Sequence, residues 1–83
     1  MYKIIFEKKP ETFFRKLERK EQARIAKKFN ELEKNPELGK RLTANLAGLW
    51  SLRFGDYRAI YQIKQSELII LILKLGHRKN VYE

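Results

Sequence analysis

The sequence predicts one small α+β domain, in which two antiparallel helices pack on one face of a mostly antiparallel sheet. Apolar residues alternate near the N-terminus, recur at helical spacing between residues 10 and 34, and alternate again in three segments after residue 48. The predicted order is therefore an N-terminal strand, a two-helix hairpin and a three-stranded antiparallel meander. A chain of 83 residues, 43% of them hydrophobic, suits a single domain over residues 1–83 with one core.

The first strand is expected at Tyr2–Glu7, where Tyr2, Ile4 and Phe6 share one face. Pro10 fits the first position of a helix, because its missing N–H group costs nothing there. The apolar side of this short helix consists of Phe13, Phe14 and Leu17.

The second helix is expected from about Lys20 to Lys34. Glutamate and lysine residues fill the faces beside one apolar stripe, which is typical of a helix that packs on a core. The helix should end at Asn35, because Pro36 disfavours helical conformation in the residue before it. The apolar stripe consists of Ile25, Ala26, Phe29 and Leu32.

Turn signals divide the remainder of the chain after an expected loop at Glu37–Ala47. The predicted strands are Leu49–Phe54, Tyr57–Lys64 and Glu67–Leu75. A second turn at Gln65-Ser66 would place Lys64 opposite Glu67, a favourable pair of charges.

A two-residue turn at Gly55-Asp56 has a chemical consequence. It sets Phe54 opposite Tyr57 and Arg53 opposite Arg58. Like charges directly opposite each other destabilise a pair of strands, so this arrangement favours an anionic ligand such as an RNA phosphate.

Alternation also predicts which face of the sheet the helices cover. The residues expected on the covered face are Trp50, Leu52, Phe54, Tyr57, Ala59, Tyr61, Ile63, Leu68, Ile70 and Ile72. The opposite face combines cationic with apolar residues, a composition that suits binding better than a core. Its residues are Leu49, Ser51, Arg53, Arg58, Ile60, Gln62, Ile69, Leu71 and Leu73.

Nineteen lysines and arginines against ten acidic residues give a net charge of +9. A basic domain of this kind usually meets a polyanion, either nucleic acid or an acidic protein. Cysteine is absent, which excludes disulfides, thiolate catalysis and cysteine-ligated zinc, and one histidine argues against a metal site. The apolar run Leu68–Leu73 is shorter than a membrane span, and no signal peptide is evident, so we expect a cytoplasmic protein without metal or small-molecule cofactor.

Three motifs are informative in combination. Leu49-Trp50-Ser51-Leu52-Arg53 is followed by Gly55-Asp56-Tyr57-Arg58-Ala59-Ile60-Tyr61, and Gly76-His77-Arg78-Lys79-Asn80-Val81-Tyr82 comes about twenty residues later. With these motifs the chain resembles the RelE/ParE superfamily of toxin–antitoxin toxins over nearly its whole length. The resemblance implies a compact toxin that binds in the ribosomal A site, cleaves messenger RNA there and is silenced by an antitoxin.

The resemblance also implies a catalytic set. Arg58 matches the hairpin arginine that contacts the scissile phosphate region, Arg78 the arginine after the last strand, and Tyr82 the C-terminal tyrosine. The residues expected to contact RNA are Lys40, Arg41, Ser51, Arg53, His77 and Lys79. The chain departs from the well-studied bacterial branch at Leu49 and Ser51, where that branch has two lysines.

Elementary chemistry supports some of these roles and leaves others open. Arginine suits a phosphate because its planar fork binds two oxygens and stays protonated. Arg58 could instead be a surface arginine in a weak ion pair with Asp56. Tyr82 fits base stacking better than proton transfer, because a phenol has a pKa of about 10. A lone histidine such as His77 is more often structural than catalytic.

Three functions agree with these observations. The first is a ribosome-dependent, metal-independent endoribonuclease. The second is a ParE-like inhibitor of DNA gyrase that performs no chemistry, and the third is a weakened homologue that acts only through its antitoxin complex. All three imply a cognate acidic, RelB-like antitoxin, because an acidic segment that folds on binding would cover both cations and apolar surface.

Overall fold

The computed structural model describes residues 1–80, and in it five strands form one mixed sheet with two helices on one face. The helices are α1 (Lys8–Arg15) and α2 (Arg19–Lys34). The strands, in spatial order, are β1 (Lys3–Phe6), β5 (Ile69–His77), β4 (Tyr57–Lys64), β3 (Trp50–Phe54) and β2 (Lys40–Arg41). The α+β class, the helix pair and the three-stranded meander are confirmed, and β2 is an additional strand inside the segment predicted as a loop.

Both helices follow from local sequence. α1 begins at Lys8, two residues before the predicted first position at Pro10. Pro10 still lies in the first turn, where backbone N–H groups have no partner within the helix. α2 ends at Lys34, and the next residue, Asn35, has a φ of −142°, outside the helical region that Pro36 disfavours. Neither helix combines the length and the apolar character needed to cross a membrane within residues 1–80.

Strand β1 pairs in parallel with β5, from Lys3 beside Ile69 to Phe6 beside Ile72. A parallel neighbour requires a long connection rather than a tight turn. The two helices and the β2–β4 segment provide that connection. β1 is thereby placed at one edge of the sheet and β2 at the other.

The β3–β4 hairpin has the predicted register. Phe54 pairs with Tyr57, and Arg53 pairs with Arg58. Gly55 has a φ of +57°, a left-handed conformation that glycine adopts without strain in the first position of a tight hairpin turn.

The predicted turn between β4 and β5 is wrong by two residues. Lys64 pairs with Ile69 instead of Glu67, so the loop contains four residues and ends at Leu68 in the left-handed region. Leu68, which was expected in the core, is 51% exposed. A shift of two residues preserves the side-chain faces, so Ile70 still lies on the covered face.

A β-bulge then changes the pairing within the same two strands. Ile60 pairs with Lys74 but Tyr61 pairs with Ile72, which leaves Leu73 as the extra residue. Beyond the bulge the odd-numbered residues of β5 lie on the helix side. This is why Leu75, which alternation alone would not assign to the core, is buried there.

The core lies between the helices and the sheet and is rich in aromatic rings. The ring of Phe29 lies 5.6 Å from that of Phe6 and 6.0 Å from that of Phe54. The fully buried members by volume are Tyr61, Ile25, Leu32, Ile70 and Ile72. Ile60 is also buried, but on the opposite face and outside this cluster.

The burial of two isoleucines in the sheet predicts unequal effects of the same substitution. Ile72→Ala removes a fully buried side chain, so we expect the free energy of unfolding to fall by about 2–5 kcal/mol. Ile5→Ala is the matched control, because Ile5 lies on the neighbouring strand and is 38% exposed, and its effect should stay within about 1 kcal/mol. Urea denaturation followed by circular dichroism measures both, and equal losses would contradict the assignment of the core.

Candidate nucleic-acid interface

A hollow of about 350 Å³ opens beside β2, β3 and β4, and four of the residues that line it are cationic. We call it the cationic hollow. Its charged residues are Lys40, Arg41, Arg53 and Arg58, and the rest of its lining is Leu38, Gly39, Leu42, Ser51 and Leu52. Five residues that the sequence assigns to catalysis or RNA contact are thus brought together.

Strand pairing accounts for this grouping. Arg53 lies opposite Arg58, on the face that alternates with the core residues Leu52 and Ala59. On the other side of β4, the partner of Arg58 is Gly76, which contributes no side chain to this face of the sheet.

The additional strand β2 completes the grouping. Lys40 pairs with Ser51 on β3, and Arg41 pairs with Trp50. The guanidinium of Arg41 lies 5.4 Å from the centre of the Trp50 ring, a cation–π contact on the face of the sheet that the helices cover. Of the two β2 cations, Lys40 is therefore the one that shares a face with Arg53 and Arg58.

Three ion pairs within residues 1–80 lie on the helices, away from the cationic hollow. Arg15 pairs with Glu11, Arg24 with Glu21 and Lys28 with Glu31. In these three pairs the acidic partners lie on the helices.

Arg78 is close to Arg58 along the sheet but lines a different hollow. The backbone N–H of Arg78 donates to the carbonyl of Asp56 at 2.8 Å, so Arg78 lies two residues beyond Gly76, the partner of Arg58. Diagonal positions of this kind are about 7–8 Å apart, within the reach of long side chains. Arg78 lines its hollow together with Asp56, His77, Lys79 and Asn80.

His77 lies on the helix side of the sheet, away from the cationic hollow. It pairs with Tyr57, a core residue, and its ring stacks on Tyr57 at 5.4 Å. The ring of Phe13 on α1 meets it edge-on at 5.8 Å. These ring contacts fit the structural interpretation of His77, and the bulge in β5 is the cause of its position. The residue is also exposed and lines the hollow of Arg78, so its predicted contact with RNA stays a prediction.

Two further positions from the sequence analysis are Tyr82 and Leu49. Tyr82 lies outside the described residues. Leu49, one of the positions where the resembled branch has lysine, lines a groove beside Trp50 and Ile63 rather than the cationic hollow. Within residues 1–80, no group of three or more histidine, cysteine, aspartate or glutamate residues could hold a metal ion.

Sequence reasoning missed the residues that hold β2 in place. The Tyr61 hydroxyl donates to the Pro36 carbonyl at 2.7 Å and accepts from the Gly39 N–H at 3.1 Å. A signal was present, since a tyrosine on a core face needs a partner for its hydroxyl, but the sequence does not show which segment supplies it.

Burial is the main reason that the pKa of the Tyr61 phenol is raised above 10, and Glu37 raises it further. The hydrogen bond from the Gly39 N–H acts in the opposite direction. Burial also raises the pKa of Tyr57, with a contribution from its hydrogen bond to Glu21. Both phenols are therefore protonated in the folded protein at neutral pH.

The chain matches the family of ParE toxins of type II toxin–antitoxin systems, parDE, over residues 4–82. It is also similar to the toxin RelG of Mycobacterium tuberculosis, with 38% identity over 55 residues. That match covers 65% of this chain and 63% of the length of RelG, so the chain spans less than two thirds of this relative.

Two solved structures extend the comparison to the fold. The toxin–antitoxin complex RelBE2 from Mycobacterium tuberculosis contains a chain with a TM-score of 0.83 and 32% identity, covering 93% of this chain and 98% of that one. The archaeal RelE–RelB complex from Pyrococcus horikoshii contains a chain with a TM-score of 0.73 and 28% identity, covering 96% and 98% respectively.

The raised pKa of Tyr61 predicts a loss of stability in alkali. The unfolded chain releases this proton near pH 10 and the folded chain only at higher pH, so the contribution is complete below about pH 10 and declines above it. Tyr61→Phe removes the titrating group and keeps the ring. We expect the difference in unfolding free energy between wild type and variant to shrink as the pH rises above 10, measured by urea denaturation at several pH values. A difference that does not change with pH would contradict this linkage.

Proposed function

The chain belongs to the ParE toxin family of type II toxin–antitoxin systems. We propose that this toxin cleaves messenger RNA in the ribosomal A site. The observation that carries the proposal is the cationic hollow. Arg53 and Arg58 lie side by side there, with Lys40 on the next pair of strands. A bent RNA backbone is a partner that satisfies several such charges at once.

The proposed reaction uses the RNA as its own nucleophile. The 2′-hydroxyl oxygen forms a bond to the adjacent phosphorus, and its proton passes to a base. The bond from phosphorus to the 5′-oxygen breaks, and an acid protonates that oxygen as it leaves. Since the nucleophile belongs to the substrate, the reaction requires neither a metal ion nor a cofactor.

Arg58 is assigned to the charge that builds up on the phosphate oxygens. Its planar guanidinium can bind two oxygens together and stays protonated throughout. Preorganised charge of this kind is often the largest single contribution to catalysis. Arg78, two residues from the partner of Arg58, is the proposed second arginine, and Tyr82 is proposed to stack on a base.

The missing lysines have a structural counterpart. Ser51 stands at one of the two lysine positions, and its cross-strand neighbour is Lys40. The ammonium group of Lys40 on β2 thus lies near the position where the resembled branch carries a lysine on β3. We assign the compensating charge to Lys40, and RNA contact to Arg41, Ser51 and Arg53. RNA contact is also assigned to Lys79, which lines the hollow of Arg78.

A RelB-like antitoxin is the proposed partner that keeps the toxin silent. The relatives of known structure are seen in complexes named RelBE2 and RelE–RelB. An acidic segment that covers the cationic hollow would block access of messenger RNA by charge and by volume together. Because the proposed targets, the ribosome and messenger RNA, are in the cytoplasm, we propose that the toxin acts there.

Inhibition of DNA gyrase is the second candidate function. The observation in its favour is that the matching family is that of ParE toxins, together with Leu49 and Ser51 in place of two lysines. Binding of gyrase would use the same basic surface without any chemistry on RNA.

The decisive variant is Arg58→Ala. We expect it to reduce messenger RNA cleavage in a translating extract by at least about a hundredfold, the size of effect seen when one transition-state contact is removed. Arg15→Ala is the matched control, because Arg15 is an exposed helix residue in an ion pair with Glu11, and it should cleave at the wild-type rate. Mapping of message ends by primer extension measures both.

Circular dichroism establishes that both variants are folded before cleavage is compared. Intact messages with folded wild-type protein would overturn the nuclease proposal. If the same preparation then inhibits supercoiling by purified gyrase, the second candidate is the correct one. A fully active Arg58→Ala variant would refute the role of Arg58 alone.

A further inference from the structure

Tyr61 joins the central strand of the sheet to the segment that carries Lys40. It is fully buried, and its hydroxyl makes two hydrogen bonds, to the Pro36 carbonyl at 2.7 Å and from the Gly39 N–H at 3.1 Å. Both partners belong to the connection between α2 and β2. The Tyr61 hydroxyl therefore uses its single donor and one of its acceptor sites on the same short segment, Pro36 to Gly39.

We propose that Tyr61 is the positioning residue of the cationic hollow, and that it acts by holding Gly39 so that Lys40 stands opposite Ser51. The inference rests on the proposed function, because it assigns a role to Lys40 in RNA cleavage. Tyr61 itself lines no part of the hollow, and its influence passes through the backbone of Gly39.

The close approach at Gly39 supports this assignment. A Cβ atom at this position would collide with the backbone oxygen of Ser51 and lie 2.9 Å from the hydroxyl oxygen of Tyr61. Glycine therefore allows the chain to pass between β3 and the phenol. The next residue, Lys40, begins β2 at the register that follows from this passage.

The ring of Tyr61 supports the second residue of β2. It stacks on Trp50, with ring centres 6.2 Å apart and planes inclined by 19°. Trp50 in turn carries the guanidinium of Arg41 at 5.4 Å. One buried side chain thus supports both cations of β2, Lys40 through its hydroxyl and Arg41 through its ring.

Strand β2 depends on this support because it is very short. It has two residues and pairs only with β3, at the edge of the sheet. A pairing of this length does not hold a strand in water without further contacts. The hydrogen bonds of Tyr61 provide such contacts from inside the core, where water does not compete for them.

Hydrogen exchange tests the structural half of the proposal without reference to RNA. We expect the Gly39 amide of the wild type to be protected, and Tyr61→Phe to accelerate its exchange about tenfold, as loss of one ordinary hydrogen bond allows. The matched control is Tyr57→Phe, the same change in a buried tyrosine of the same strand, which should leave Gly39 unchanged. Exchange of the wild-type Gly39 amide at the rate of an unstructured peptide would overturn the proposal even if the variant failed to fold.

A double-mutant cycle tests the functional half. We expect Tyr61→Phe to slow messenger RNA cleavage about tenfold, since small displacements of a charged group cost rate steeply. In a Lys40→Ala background, the same change should have almost no further effect, because the group that it positions is already absent. Independent, multiplicative losses would show that Tyr61 contributes only to general stability, and would overturn the positioning role.

The fluorescence of Trp50 separates this proposal from the nuclease proposal. Trp50 is the single tryptophan of the chain, and it lies between Tyr61 and Arg41. With a short single-stranded RNA as the probe, we expect the wild type to change its emission and Tyr61→Phe to need about tenfold more RNA for the same change. If the two proteins show this tenfold difference in RNA binding but messenger RNA is not cleaved, the nuclease proposal fails and the positioning role of Tyr61 stands. Equal binding by both proteins would overturn the positioning role.

Discussion

Strand β4 supplies buried side chains to one face of the sheet and Arg58 to the other, and the rest of the domain depends on this constraint. Tyr57, Ala59 and Tyr61 are buried under the helices. Because successive side chains of a strand point to opposite faces, the residues that attract the helices also direct Arg58 to the side without helices. A slip of one residue would bury the guanidinium and expose the aromatic rings, at a cost of several kcal/mol. The register that forms the core is therefore also the register that forms the cationic hollow.

The same constraint explains why an unfavourable pair of arginines persists. Arg53 opposite Arg58 destabilises the hairpin by up to about 1 kcal/mol. Burial of the neighbouring Leu52 side chain contributes roughly 1.5–3 kcal/mol, which exceeds that cost. Gly55, in its left-handed conformation, allows the two-residue turn and so keeps the Arg53–Arg58 and Leu52–Ala59 pairs in register. The domain thus holds two positive charges close together because core burial outweighs their repulsion.

Features set by local chemistry could be predicted from the sequence, and those set by distant contacts could not. The Gly55 turn and the Asn35 helix end depend on adjacent residues, and both were predicted correctly. The four-residue loop ending at Leu68 has no such signal, because an apolar residue in the left-handed region is uncommon. The bulge at Leu73 has no signal in the alternation of the sequence, and it moves His77 to the helix side, where the resemblance alone did not place it. Lys40 was predicted as an RNA contact, but its strand was not, because two residues carry no periodicity.

The dependence of β2 on Tyr61 links the geometry of the hollow to the core. Lys40 has no long strand of its own to hold it, so its position depends on the two residue pairs between β2 and β3 and on the contacts of one phenol with Pro36 and Gly39. Local regions open with less free energy than the whole domain, and a short edge strand is among the first to do so. Damage to the packing around Tyr61 therefore disturbs the cations of β2 before it unfolds the sheet that carries Arg58. The charge on β4 is held by global folding and the charge on β2 by a local contact, so the two halves of the hollow respond differently to destabilisation.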